Sequence, residues 1–85
     1  EAPDAPEIDP DGGTFGAQTD ITITVPENCK VYYTWDSSDP SAASTEYTAP
    51  IPVPEGNNVL SVIAIDQNTG KCSDIYRSRF EFYMN

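Results

Sequence analysis

Val31-Tyr32-Tyr33-Thr34-Trp35-Asp36-Ser37-Ser38-Asp39-Pro40 reads as one β-strand running into a tight acidic turn. Side chains alternate along a strand, so Val31, Tyr33 and Trp35 share one face and Tyr32, Thr34 and Asp36 the other. Aromatic and β-branched residues favour a pleated, half-buried surface, and the first face carries enough apolar area to centre a core. The turn is built from residues that hydrogen-bond their own backbone, and Pro40 cannot continue a ladder.

The flanks repeat that pattern. Asp20 to Val25 alternates Ile21, Ile23 and Val25 inward against Thr22 and Thr24 outward. Pro26-Glu27-Asn28 turns the chain, and Cys29 stands just before the anchor strand. On the other side, Ser41 to Thr45 is a small polar loop. Tyr47 then opens a segment whose prolines at 50, 52 and 54 confine it to a sheet edge. Glu55-Gly56-Asn57-Asn58 reads as a turn.

Val59 to Asp66 is apolar on both faces, Leu60, Val62 and Ala64 on one and Val59, Ile63 and Ile65 with Ser61 on the other. That marks a central strand partly covered on its outer side. Gln67-Asn68-Thr69-Gly70 makes a hairpin. The last strand points Tyr76, Ser78, Phe80 and Phe82 one way and Arg77, Arg79 and Glu81 into water.

Towards the N-terminus, Ile8 lies inward on a short edge strand between Pro6 and Pro10. Asp11-Gly12-Gly13 turns, and Phe15 plugs the core. The Pro-Ala-acid composition of residues 1–5 suits a stiff linker, leaving 6–85 as the domain. The expected core is Ile21, Ile23, Val31, Tyr33, Trp35, Tyr47, Leu60, Val62 and Phe80.

Composition narrows the function. Eighty-five residues make one domain. Eight prolines, five glycines and a Val/Ile/Tyr/Phe-weighted apolar set favour strands and turns over helices. Fourteen acids against four bases give a net charge of −10, which argues against nucleic acid and anionic membranes as partners. No histidine is present, which removes the commonest general base and transition-metal ligand. No stretch has the length or hydropathy of a membrane span, so no membrane insertion is expected.

Four segments together resemble the chitobiase/β-hexosaminidase C-terminal domain family, a small immunoglobulin-like module. They are Pro10-Asp11-Gly12-Gly13-Thr14-Phe15, then Tyr32 to Pro40, then Tyr47-Thr48-Ala49-Pro50-Ile51, and last Ala64-Ile65-Asp66 with Gly70 and Ser73. The resemblance covers about Pro6 to Phe82, with one departure: Ser37 stands where the family has glycine. It implies an immunoglobulin-like β-sandwich of about seven short antiparallel strands in two sheets. It also implies a non-catalytic spacer or docking module of a larger bacterial extracellular or cell-surface protein. The partners would be neighbouring domains of the parent chain, with the isolated domain a monomer. Neither catalytic residues nor a cofactor are implied.

Three constellations remain. In an immunoglobulin-like order the loops holding Cys29 and Cys72 fall at one end of the sandwich, so a disulfide can form there. It would contribute about 4 kcal/mol in the chain-entropy model. The alternative is two separate free thiols. Asp36 and Asp39 offer oxygen ligands to calcium in a calcium-stabilised adhesion module, although they supply only part of a calcium shell and capping of turn amides is the better account of both. In a carbohydrate-binding accessory module, glycan would stack on the outward Tyr32 and on Tyr83. Another surface protein is a further partner class.

Overall fold

The computed structural model describes residues 2–84. Glu1, the first residue of the expected linker, and Asn85, the last of the expected domain, lie outside them. Among the described residues eight strands form two sheets: β1 (Glu7–Asp9), β2 (Gly13–Phe15), β3 (Asp20–Thr24), β4 (Cys29–Thr34), β5 (Thr45–Glu46), β6 (Ile51–Pro52), β7 (Gly56–Asp66) and β8 (Tyr76–Phe82). Strand order is β1-β3-β6 in the smaller sheet and β2-β8-β7-β4-β5 in the larger. The all-β, two-sheet reading therefore holds.

The larger sheet is organised around β7 rather than around β4. Its eleven residues are flanked by β4 and β8 and carry the longest ladders, with Val31 opposite Ala64 and Leu60 opposite Ser78. Gly56 to Asn58 was expected to be a turn, yet it pairs with Phe82, Glu81 and Phe80. Glycine and asparagine are poor strand formers, and the long β8 partner overrides that local preference.

The core lies between the sheets and contains Ile21, Ile23, Ile51, Val53, Val31, Leu60, Val62, Ala64, Phe80 and Phe82. Alternation explains the membership: β3 reads exposed-buried-exposed-buried-exposed, so Ile21 and Ile23 face in. Val25, expected inward, is exposed because β3 ends at Thr24. Prolines confine β6 to the edge of the smaller sheet, as read from the sequence. On the outer face of β7, Ile63 and Ser61 are buried, which matches the expectation of a partly covered central strand.

Five of the six strand pairings are antiparallel. The exception is β2, which runs parallel to β8 and sets Gly13, Thr14 and Phe15 against Phe80, Glu81 and Phe82. Phe15 stacks on Phe80 with centroids 6.1 Å apart. The turn into β2 fits only because residue 12 lacks a side chain. Gly12 sits at φ +78°, and a Cβ there would come within 2.8 Å of the Arg79 carbonyl oxygen.

Candidate functional site

The turn after β4 is held by its own short side chains. The Asp36 carboxylate Oδ1 accepts from the Ser38 hydroxyl at 2.6 Å and from the Ser38 amide at 3.1 Å. Those two bonds, the hydroxyl first, hold the Asp36 carboxyl below its ordinary range. Ser37 adopts φ +67°, so the conformation that suits glycine is kept with serine in place. Asp39 goes elsewhere, receiving Arg77 Nη2 from β8 at 2.6 Å. The Arg77 guanidinium also donates to the Ser37 carbonyl at 3.4 Å, and the Thr34 hydroxyl donates to the Ser38 carbonyl at 2.8 Å.

Thr34 and Arg77 are the cross-strand neighbours of Ser61, so the turn is drawn over that residue. The Ser61 hydroxyl is consequently buried without a partner among the described residues. Asp36 and Asp39, the candidate calcium ligands, are both engaged in holding this turn. Among the described residues no group of three or more His, Cys, Asp or Glu is placed to hold a metal ion.

Cys29 and Cys72 do lie at one end of the sandwich, flanking the end of β7, but both thiols are free. The expected bridge is not formed, for two geometric reasons. Cys29 on β4 opposes Asp66, and Cys72 on the far side of β7 opposes Ile65, so they stand two strand spacings apart, about 10 Å. Disulfides need Cα atoms within about 7 Å. Cys29 also packs inward against the core, whereas Cys72 shares the outward face of Ile65. Burial, and behind it the Asp66 carboxylate, push the Cys29 thiol above its ordinary pKa.

The two tyrosines considered for glycan do not meet. Tyr32 is half-buried opposite Ile63, whereas Tyr83 is exposed just past Phe82, which opposes Gly56. At about 3.3 Å per residue the two positions are about 23 Å apart along β7.

The aromatic surface lies on the opposite face of β4. Tyr33 and Trp35, expected to be enclosed, are only half-buried, as is Tyr47. The smaller sheet has three strands to the larger sheet's five, and Tyr33 and Trp35 near the β4-β5 border are incompletely covered. There Tyr33 and Trp35 join Thr34, Asp36, Ala43, Ser44 and Thr45 around an open cleft of about 330 Å³. Trp35 still leans edge-on against Phe80, with centroids 5.9 Å apart and planes at 71°. Tyr47 is anchored at its hydroxyl, which accepts from the Ile23 amide at 3.1 Å.

A second concavity of about 440 Å³ lies among Ala5, Pro6, Glu7, Ile8, Asp11 and Tyr76. Here the Asp11 carboxylate accepts from the Tyr76 hydroxyl and, at 2.7 Å, from the Ser78 hydroxyl. The incoming chain is thereby clamped to the start of β8. The sequence singles out none of Asp11, Tyr76 and Ser78 for this, because Asp11 lies 65 and 67 positions from its partners.

Fold and motifs together define a small all-β domain. The family model of the chitobiase/beta-hexosaminidase C-terminal domain matches residues 10–77, and the chain belongs to that family. No curated protein and no solved structure matches it.

Proposed function

We propose that the chain is a non-catalytic spacer or docking module of a larger extracellular or cell-surface bacterial protein, acting on its neighbouring domains. One observation carries this reading. Ala5 and Pro6 lie beside Tyr76 at the start of β8, whereas the chain leaves the sandwich after Phe82 at the other end of the same strand. The six residue steps between them set entry and exit about 20 Å apart on a rigid ladder. A domain built this way holds flanking segments at a fixed separation. The family supports the reading because its description is that of a C-terminal domain of chitobiase and beta-hexosaminidase, one part of a larger chain.

The test is a pulsed dipolar spectroscopy measurement between spin labels at Pro3→Cys and Tyr83→Cys, with both native cysteines replaced by serine. A narrow distance distribution centred at or above about 20 Å is expected. A broad distribution would reject a rigid spacer, and hydrolysis of a chromogenic N-acetylglucosaminide by the purified chain would reject the non-catalytic role.

A further inference from the structure

The cleft at the β4-β5 border combines features that a merely uncovered edge of core would lack. Trp35 is fixed by its edge-on contact with Phe80, so its exposed part is presented in one orientation. Tyr33 stands two residues away on the same face of the strand. Around these rings the polar groups are only partly spent. Among the described residues, the Trp35 indole N–H, the Tyr33 hydroxyl and the Thr45 hydroxyl take part in no side-chain hydrogen bond. Ser44 Oγ accepts from the Ser41 amide at 2.9 Å and keeps its own proton for another acceptor. Asp36 uses Oδ1 within the turn, leaving Oδ2 as an acceptor. Among the described residues the unpartnered buried side-chain oxygen is Ser61 Oγ, so the polar groups of the cleft are open to solvent rather than stranded in the core.

We infer that this cleft is a binding subsite for one or two residues of a neutral oligosaccharide. A pyranose ring offers an apolar C–H face to an aromatic ring and a rim of hydroxyls that both donate and accept. Two half-exposed aromatic rings ringed by three hydroxyls, an indole N–H and a carboxylate match that chemistry group for group. The volume of about 330 Å³ falls at the lower end of the range for small-ligand pockets, about 300–1,000 Å³. Charge selects among sugars: Asp36 on the rim and a net charge of −10 disfavour uronic or sialic acids. The site is therefore displaced from Tyr32 and Tyr83 to the other face of the anchor strand. It stands independently of the spacer role, since the cleft lies to one side of the path from entry to exit.

Trp35 is the sole tryptophan, so its emission reports on the cleft directly. The experiment titrates the intact chain with chitotriose, cellotriose and maltotriose, and with sialyllactose as the anionic comparison. The expected result is a saturable emission change with at least one neutral trisaccharide. It should weaken at least tenfold in Ala43→Arg and in Thr45→Lys, which crowd the mouth from exposed positions and leave the melting temperature unchanged. Tyr32→Ala and Tyr83→Ala should bind as the parent does. Flat titrations with all three neutral sugars would overturn the inference. So would a response that both mouth variants leave intact, or an equal response to sialyllactose. None of these outcomes bears on the label-to-label distance that tests the spacer.

Discussion

Trp35 meets Phe80 edge-on, with ring centroids 5.9 Å apart, and this contact ties the open cleft to the largest fully buried side chain of the core. Because Trp35 is half-buried, Trp35→Ala should cost about 2–3 kcal/mol, less than the roughly 3–5 kcal/mol of a fully enclosed aromatic. Urea denaturation checks this, with Trp35→Phe expected to lose less than Trp35→Ala. Complete unfolding of Trp35→Ala in buffer would show that the ring is a central plug after all.

Ser37 occupies a left-handed conformation that costs an L-residue roughly 1–2 kcal/mol relative to glycine. Glycine also loses more backbone entropy on folding, which offsets part of that gain. Ser37→Gly should therefore stabilise the domain by about 0.5–1 kcal/mol, and Ser37→Val should destabilise it. Melting curves of the two variants moving in the same direction would contradict the assignment.

The Ser61 hydroxyl is buried beneath the turn with no partner among the described residues, and such a group carries an unrecovered desolvation penalty. Ser61→Ala should thus be neutral or stabilising by up to about 1 kcal/mol. A loss larger than about 1 kcal/mol in chemical denaturation would show that the hydroxyl is bonded.

Different clamps contribute at the two ends of the pH range. Asp36 has a lowered carboxyl pKa in the folded state, owing first to the Ser38 hydroxyl. Its contribution is present above the unfolded value of about 3.9 and is lost as pH falls through the lower folded value. Tyr76 has a raised phenol pKa because its hydroxyl donates to Asp11. Its contribution is present below the unfolded value of about 10 and is lost as pH rises through the higher folded value. Ser38→Ala should flatten the acid limb of a urea-midpoint profile below about pH 4, and Tyr76→Phe the limb above about pH 10. Neither variant should alter the slope near neutrality.

The two thiols should react in sequence. Cys72 is exposed, whereas Cys29 is half-buried and its thiol is held protonated by burial and by Asp66. Thiolate is the reactive form. Iodoacetamide at neutral pH should label Cys72 first and Cys29 more slowly, as read by peptide mass, with two free thiols titrated in the denatured, unreduced protein. Finding none would restore the bridge.

These residues also show what could be read before the structure. Ile21 and Ile23 declared their side of the sheet because a two-residue period is all that a half-buried strand requires. The same period told that Tyr33 and Trp35 face inward. It carried no information on how far the opposing sheet extends, and so the cleft was invisible. Gly13-Thr14-Phe15 is too short to display any period, and its parallel partner lies at the far end of the sequence. The Cys29 and Cys72 faces depend on the register with which the Asp66–Gly70 hairpin returns the chain, which composition does not fix. The departure at Ser37, by contrast, left the turn's conformation intact.

The pairing of β2 with β8 has a consequence for how the molecule comes into being. Thr14 and Glu81 are hydrogen-bonded across 67 positions, and β8 sits inside the larger sheet rather than at its border. Phe80, on which both Phe15 and Trp35 lean, is thus among the last core residues to leave the ribosome. Until it arrives, the earlier strands have no centre to close around, so assembly must wait until nearly all of this domain has been made and proceed at the slow pace of distant contacts.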